Sequence, residues 1–118
     1  MIELILESLV GRDYERIASE SDLQAQVEQR LKAANLEFTS QVELDSRADR
    51  IDVLCGSIGI ELKISGGLSS VLAQLERYAQ SDLVSELVLV TTRANHLNLR
   101  GMGPLHGKPL YVIIVGSL

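Results

Sequence analysis

The sequence predicts an α/β fold, a mixed β-sheet flanked by helices, in the order helix, helix, three strands, helix, strand, strand. Three observations carry this reading. Leu23, Val27 and Leu31 recur at every fourth residue, the spacing of one helix face. Arg50 to Cys55 and Ile58 to Ile64 are strand-like runs separated only by Gly56 and Ser57, which is a hairpin pattern. Glu86 to Thr91 and Leu110 to Val115 are short and largely apolar, as strands covered on both faces are.

Taken in order, Ile2, Ile5, Leu6, Leu9 and Val10 lie at helical spacing, with Glu3 and Glu7 between them and Gly11 as a stop. This short N-terminal helix either covers the core or pairs with a second copy. Residues 12–18 read as a connector. Ser19 or Ser21 can cap the second helix, and Ser21 with Gln24 has capping-box spacing. Ala34 continues its apolar stripe and Asn35 ends it. Glu20 stands three, seven and eleven residues before Leu23, Val27 and Leu31, at the head of the inward-facing stripe. A first strand is expected over Phe38 to Leu44. After the hairpin, Gly66-Gly67 breaks the chain, and Leu68 to Gln80 reads as a helix with Leu68, Leu72, Leu75 and Ala79 inward. The stretch between the last two strands, rich in Gly and Asn and containing Pro104, is expected to be loop with a helical turn near Ala94 to Leu99.

The 118 residues fit one domain over 1–118, with no room for separate catalytic and recognition domains. A hydrophobic share of 46% and a charged share of 23% are globular values. The apolar runs are far shorter than the roughly 20 residues that cross a bilayer, and no basic-then-apolar leader follows Met1. A cytoplasmic protein with no membrane association is expected. The single Cys55 excludes an internal disulfide and reads as a buried thiol. A formal charge of -5 opposes general nucleic-acid binding, yet residues 87–118 contain Arg93, Arg100, Lys108, His96 and His106 and no acid. Without close spacing to one another, the two histidines read as loop residues rather than metal ligands.

In Ile60-Glu61-Leu62-Lys63-Ile64 the charges occupy alternate positions and so share one face. Asp52 interrupts Ile51 and Val53 on the preceding strand, and hairpin pairing can bring all three polar groups together. Buried without partners they would cost several kcal/mol, so they need water, each other or a metal ion. Two adjacent carboxylates suit Mg2+, which takes one or two protein carboxylates and keeps waters and phosphate oxygens. A phosphodiester-cleaving site follows, with Lys63 holding the attacking water or stabilising growing negative charge. Glu-x-Lys alone is more often an ordinary solvated pair.

Asp52, then Glu61-Leu62-Lys63, after a helix bearing Glu20, resembles the PD-(D/E)XK nuclease core, over about residues 19–91. Downstream, Gln74 and Tyr78 match the QxxxY motif of RecB-type nucleases and lie one helical turn apart. The resemblance implies a restriction-endonuclease-like core in which Asp52, Glu61 and the Leu62 carbonyl hold Mg2+, with Mn2+ able to substitute, and Lys63 is the catalytic lysine. It makes Glu20 the helix carboxylate that orients water, with Gln24 as helper and Glu28 as rival. Gln74 and Tyr78 would steady the lysine or contact DNA. The family's proline before the first acid is replaced by Ile51. Arg93 and Arg100 are candidates for phosphate contact.

The expected activity is therefore a Mg2+-dependent deoxyribonuclease. The scattered Tyr14, Phe38, Tyr78 and Tyr111 are the whole aromatic complement, too few for stacking platforms, so duplex or branched DNA is the expected substrate. A homodimer would enlarge a small recognition surface. The competing readings are a nuclease-like domain that binds nucleic acid or protein without cutting, and an α/β interaction protein whose hairpin charges are merely solvated.

Overall fold

The structure, a computed structural model, describes residues 1–11, 13–44 and 49–116. Its elements are α1 (Ile2–Leu9), α2 (Glu20–Ala33), β1 (Thr39–Glu43), β2 (Arg50–Cys55), β3 (Ile58–Lys63), α3 (Leu68–Ala79), β4 (Glu86–Thr91), a 3-10 segment (Ala94–Met102) and β5 (Leu110–Ile114). Arg12, within the expected connector, lies outside the described residues.

The α2 helix begins at Ser19, whose side chain accepts from the Asp22 amide at 3.1 Å, so Ser19 rather than Ser21 is the cap. It ends where Asn35 takes φ 59°, with the Leu36 amide bonded to Leu31 O and the Asn35 amide to Lys32 O. That double closure satisfies terminal carbonyls and turns Leu36 back against the core. Ala34, expected to extend the stripe, is the exposed C-cap.

The five strands form one mixed sheet in sequential order: β1, β2 and β3 antiparallel, then β3, β4 and β5 parallel. The β2–β3 turn is Gly56-Ser57, and Gly56 has φ +62°, which a residue without Cβ adopts at little cost. Two apolar layers cover the sheet. Ile5, Leu9, Leu23, Val27 and Leu31 of α1 and α2 pack on Val53, Ile60, Leu62 and Val90. On the opposite face, Val71, Leu75 and Tyr78 of α3 pack with Leu87, Leu89 and Leu99.

Two expectations change here. The buried stripe of α3 is Val71, Leu75, Tyr78 and Ala79, while Leu68 and Leu72 are only half-buried. Tyr78 sits on the same face as Val71 and Leu75, and its large ring is buried with them against the sheet. His96 is fully buried rather than a loop residue, within a 3-10 segment longer than the turn expected. Cys55 is a buried free thiol, and burial pushes its pKa up. Among the described residues, no helix is long and apolar enough to cross a membrane.

Candidate functional site

The hairpin is regular near its turn and irregular at its open end. Val53↔Ile60, Leu54↔Gly59 and Cys55↔Ile58 are paired, and the β2–β3 register stops there. Gln41 takes φ 52°, and the opposing Gln41 and Asp52 drop out of the β1–β2 register between Ser40↔Val53 and Val42↔Ile51. The faces exchange at this point. Val53 packs on the α1/α2 layer, whereas Ile51, two residues away, packs on the α3 layer. Simple alternation would put both on one side.

The break is what frees Asp52. Its Oδ2 accepts from the Leu62 amide at 2.8 Å, so a side chain stands where a main-chain acceptor of a continuing ladder would be. Because a strand residue's amide and carbonyl project to the same side, Leu62 presents its carbonyl toward Asp52 as well. Asp52 Oδ1 lies 3.3 Å from Gln41 Nε2, and Gln24 Nε2 donates to the Asp52 carbonyl at 2.9 Å. Gln24 therefore ties α2 to the broken strand.

Glu61 faces the α3 layer and is 3% exposed. Its Oε2 pairs with Lys63 Nζ at 3.2 Å, while Oε1 is the one buried side-chain oxygen without a hydrogen-bond partner among the described residues. Burial first, then the neighbouring Asp52 through its charge and through a hydrogen bond that the protonated acid can make to it, push the Glu61 pKa up to about 8, against the pull of Lys63. The Lys63 side chain, 19% exposed, reaches the edge of an open cleft of about 420 Å³ shared with Glu20, Ser65, Gly66, Gln74 and Arg77.

Glu20, the first residue of α2, is exposed rather than inward-facing. It borders both this cleft and a second of about 450 Å³ lined by Gln24, Glu28, Gln41 and Asp52. Its rival Glu28 is held, since Gln24 and Ser40 both donate to Glu28 Oε2 at 2.6 and 2.7 Å. The Glu20 side chain is exposed and makes no hydrogen bond among the described residues, so it is the more available carboxylate.

Gln74 and Tyr78 engage each other, with Nε2 of Gln74 2.7 Å from the hydroxyl, and Tyr78 donates to the Arg50 carbonyl at 3.0 Å. The pair buttresses β2 two residues before Asp52. No bond joins it to Lys63 among the described residues, although Gln74 lines the Lys63 cleft. Burial and the nearby carboxylates push the Tyr78 pKa up, so the phenol keeps its proton. Arg93 is exposed just beyond β4, whereas Arg100 spends its guanidinium on the Val112 carbonyl at 2.7 and 3.2 Å. Arg100 thus braces the β5 strand with one edge of its guanidinium, although the residue is exposed.

The chain matches no protein-family model, no curated protein and no solved structure with which it was compared. Sequence reading missed Gln41, whose left-handed conformation accompanies the break, and Ser40, which holds Glu28. A β-strand glutamine carries no signal of that conformation. No three His, Cys, Asp or Glu side chains cluster as a metal-holding group among the described residues, so the available protein ligands are two carboxylates and a main-chain oxygen. That count is one Mg2+ accepts, because it retains waters.

Proposed function

We propose that the chain is a metal-dependent nuclease of the PD-(D/E)XK type, hydrolysing phosphodiester bonds of duplex or branched DNA with Mg2+ or Mn2+. The observation that carries the proposal is Glu61: a nearly buried carboxyl beside Asp52 whose Oε1 meets no hydrogen-bond donor among the described residues, and whose pKa is pushed up by burial and by the charge and hydrogen bonding of Asp52. A buried acid facing a second, half-buried one is costly even with Lys63 alongside, and a divalent cation held by Asp52, Glu61 and the Leu62 carbonyl would offset that cost. Such a cation, when bound, supplies charge neutralisation at a phosphoryl group and a more acidic water.

The chain's own residues then divide the work. Lys63, at the mouth of its cleft, offers a positive charge to a phosphate oxygen or to the attacking water. Glu20, across the same cleft, can accept a proton from that water. Gln24 and the Gln74–Tyr78 pair hold β2 at Asp52 from either layer. Arg93 is the available phosphate contact outside the clefts. Pairing with a second copy belongs to the same reading, since one small domain has little surface for recognition.

The experiment is a cleavage panel of linear, nicked and four-way-junction DNA with Mg2+ or Mn2+. Cleavage of at least one substrate, abolished by EDTA and by Asp52→Ala or Lys63→Ala in folded protein, is expected. Intact DNA throughout, or variants that cut as well as the wild type, would overturn the proposal and leave a binding domain.

A further inference from the structure

We infer that His96 is a positioning residue for the Lys63 wall of the cleft, clamping the loop that follows Lys63 to the end of β4. The inference rests on the proposed nuclease reading for its consequence and on separate geometry for the clamp. His96 is fully buried, and both ring nitrogens are engaged: Nε2 with the Gly66 carbonyl at 2.8 Å and Nδ1 with Thr91 Oγ1 at 2.7 Å.

A carbonyl only accepts, so Nε2 donates to Gly66, while Nδ1 is bonded to the Thr91 hydroxyl, which can serve as donor or acceptor. Thr91 Oγ1 in turn accepts from the Arg93 amide at 3.0 Å, so each polar side-chain atom of this buried pair has a partner.

Each partner leads to the cleft. Thr91 is the ladder partner of Lys63 in the parallel β3–β4 pair, and the Lys63 carbonyl accepts from the Thr92 amide at 3.1 Å. Ser65 and Gly66 line the cleft with Lys63. Gly66 has φ +107°, and a Cβ there would lie 3.2 Å from Val71 Cγ2, so the loop follows a path that only glycine takes without strain. Nothing in the glycine itself selects that path from the many open to it. The His96 ring supplies the selection, across thirty residues of sequence. It joins the carbonyl that shapes one cleft wall to β4, the strand paired with Lys63, and through Thr91 to the exposed Arg93. His96 touches neither cleft nor carboxylates, so its effect is on the placement of Lys63.

The test compares His96→Leu, which removes both bonds, with His96→Gln, which keeps one donor and one acceptor. Backbone order parameters of Ser65 to Gly67 are measured by NMR, alongside calorimetric Mn2+ binding and DNA cleavage. The expected result is loop order near the rigid value of about 0.85 in the wild type, below about 0.6 in His96→Leu, and restored in His96→Gln. Turnover should fall by about 10²-fold in His96→Leu, the scale of a small misplacement, with Mn2+ affinity within twofold and turnover recovered in His96→Gln. A loop equally rigid in His96→Leu overturns the clamp. A rigidity loss with unchanged turnover of the folded enzyme overturns the positioning role. If His96→Leu does not fold, Thr91→Val is read by the same criteria. If the wild type cuts no DNA, the nuclease proposal fails by itself, and the order parameters still decide whether the clamp exists.

Discussion

The two halves of one hairpin behave oppositely. At the closed half, Cys55↔Ile58 and Val53↔Ile60 pair in register, their side chains enter the α1/α2 layer, and a glycine at φ +62° closes the turn. At the open half, register lapses at Asp52, a carboxylate takes over a main-chain acceptor's place, and Glu61 is buried with one oxygen unmet among the described residues. The same strands thus supply stability at one end and, at a distance of a few residues, spend some of it to assemble charge. Functional sites tend to sit where local rules are broken and the surrounding packing tolerates it.

Substitutions should separate the halves. The largest effect belongs to the open half: Asp52→Ala should lower metal-dependent cleavage by about 10³-fold or more, comparable to losing a preorganised electrostatic group, in a single-turnover assay. Ile60→Ala in the closed half should act in the other sense. It should cost about 2–5 kcal/mol of stability in urea denaturation while leaving the metal affinity of the folded fraction unchanged.

Acidity gives a third contrast. The Glu61 pKa is raised from 4.5 to about 8, so the folded state binds its proton more tightly than the unfolded state does. The associated stability is fully present below pH 4.5 and is lost as pH rises through about 8. Metal-free protein should therefore lose on the order of a few kcal/mol across that window. Denaturation curves in EDTA should show the decline, and Glu61→Gln should flatten it. The smallest effect is at the buttress: Tyr78→Phe leaves the Arg50 carbonyl without its hydroxyl donor and should cost about 1 kcal/mol, with cleavage reduced only severalfold.

The element order was legible because helical and strand periodicities differ, and because Gly56-Ser57 and Asn35 stand where a turn and a helix end require them. The partnership of Glu61 with Lys63 was legible for the same reason, two residues on one face. The mode by which Asp52 joins them was not. It depends on Gln41 adopting a left-handed conformation and on Ile51 and Val53 entering opposite layers, neither of which alternation predicts. Glu20 was read as inward from its stripe, but at the first turn of α2 it is exposed at the junction of two clefts. His96 looked like a loop residue because its partners, Gly66 and Thr91, are brought to it only by the parallel β3–β4 pairing. Contacts of that kind leave no local pattern.

The central claim is that the open half of the hairpin holds a divalent cation. Isothermal titration of Mn2+ into the protein at neutral pH tests it most directly. The account predicts saturable binding that disappears in both Asp52→Ala and Glu61→Gln while Ile60→Ala retains it. Absence of binding by the wild type, or binding that survives both substitutions, would contradict it.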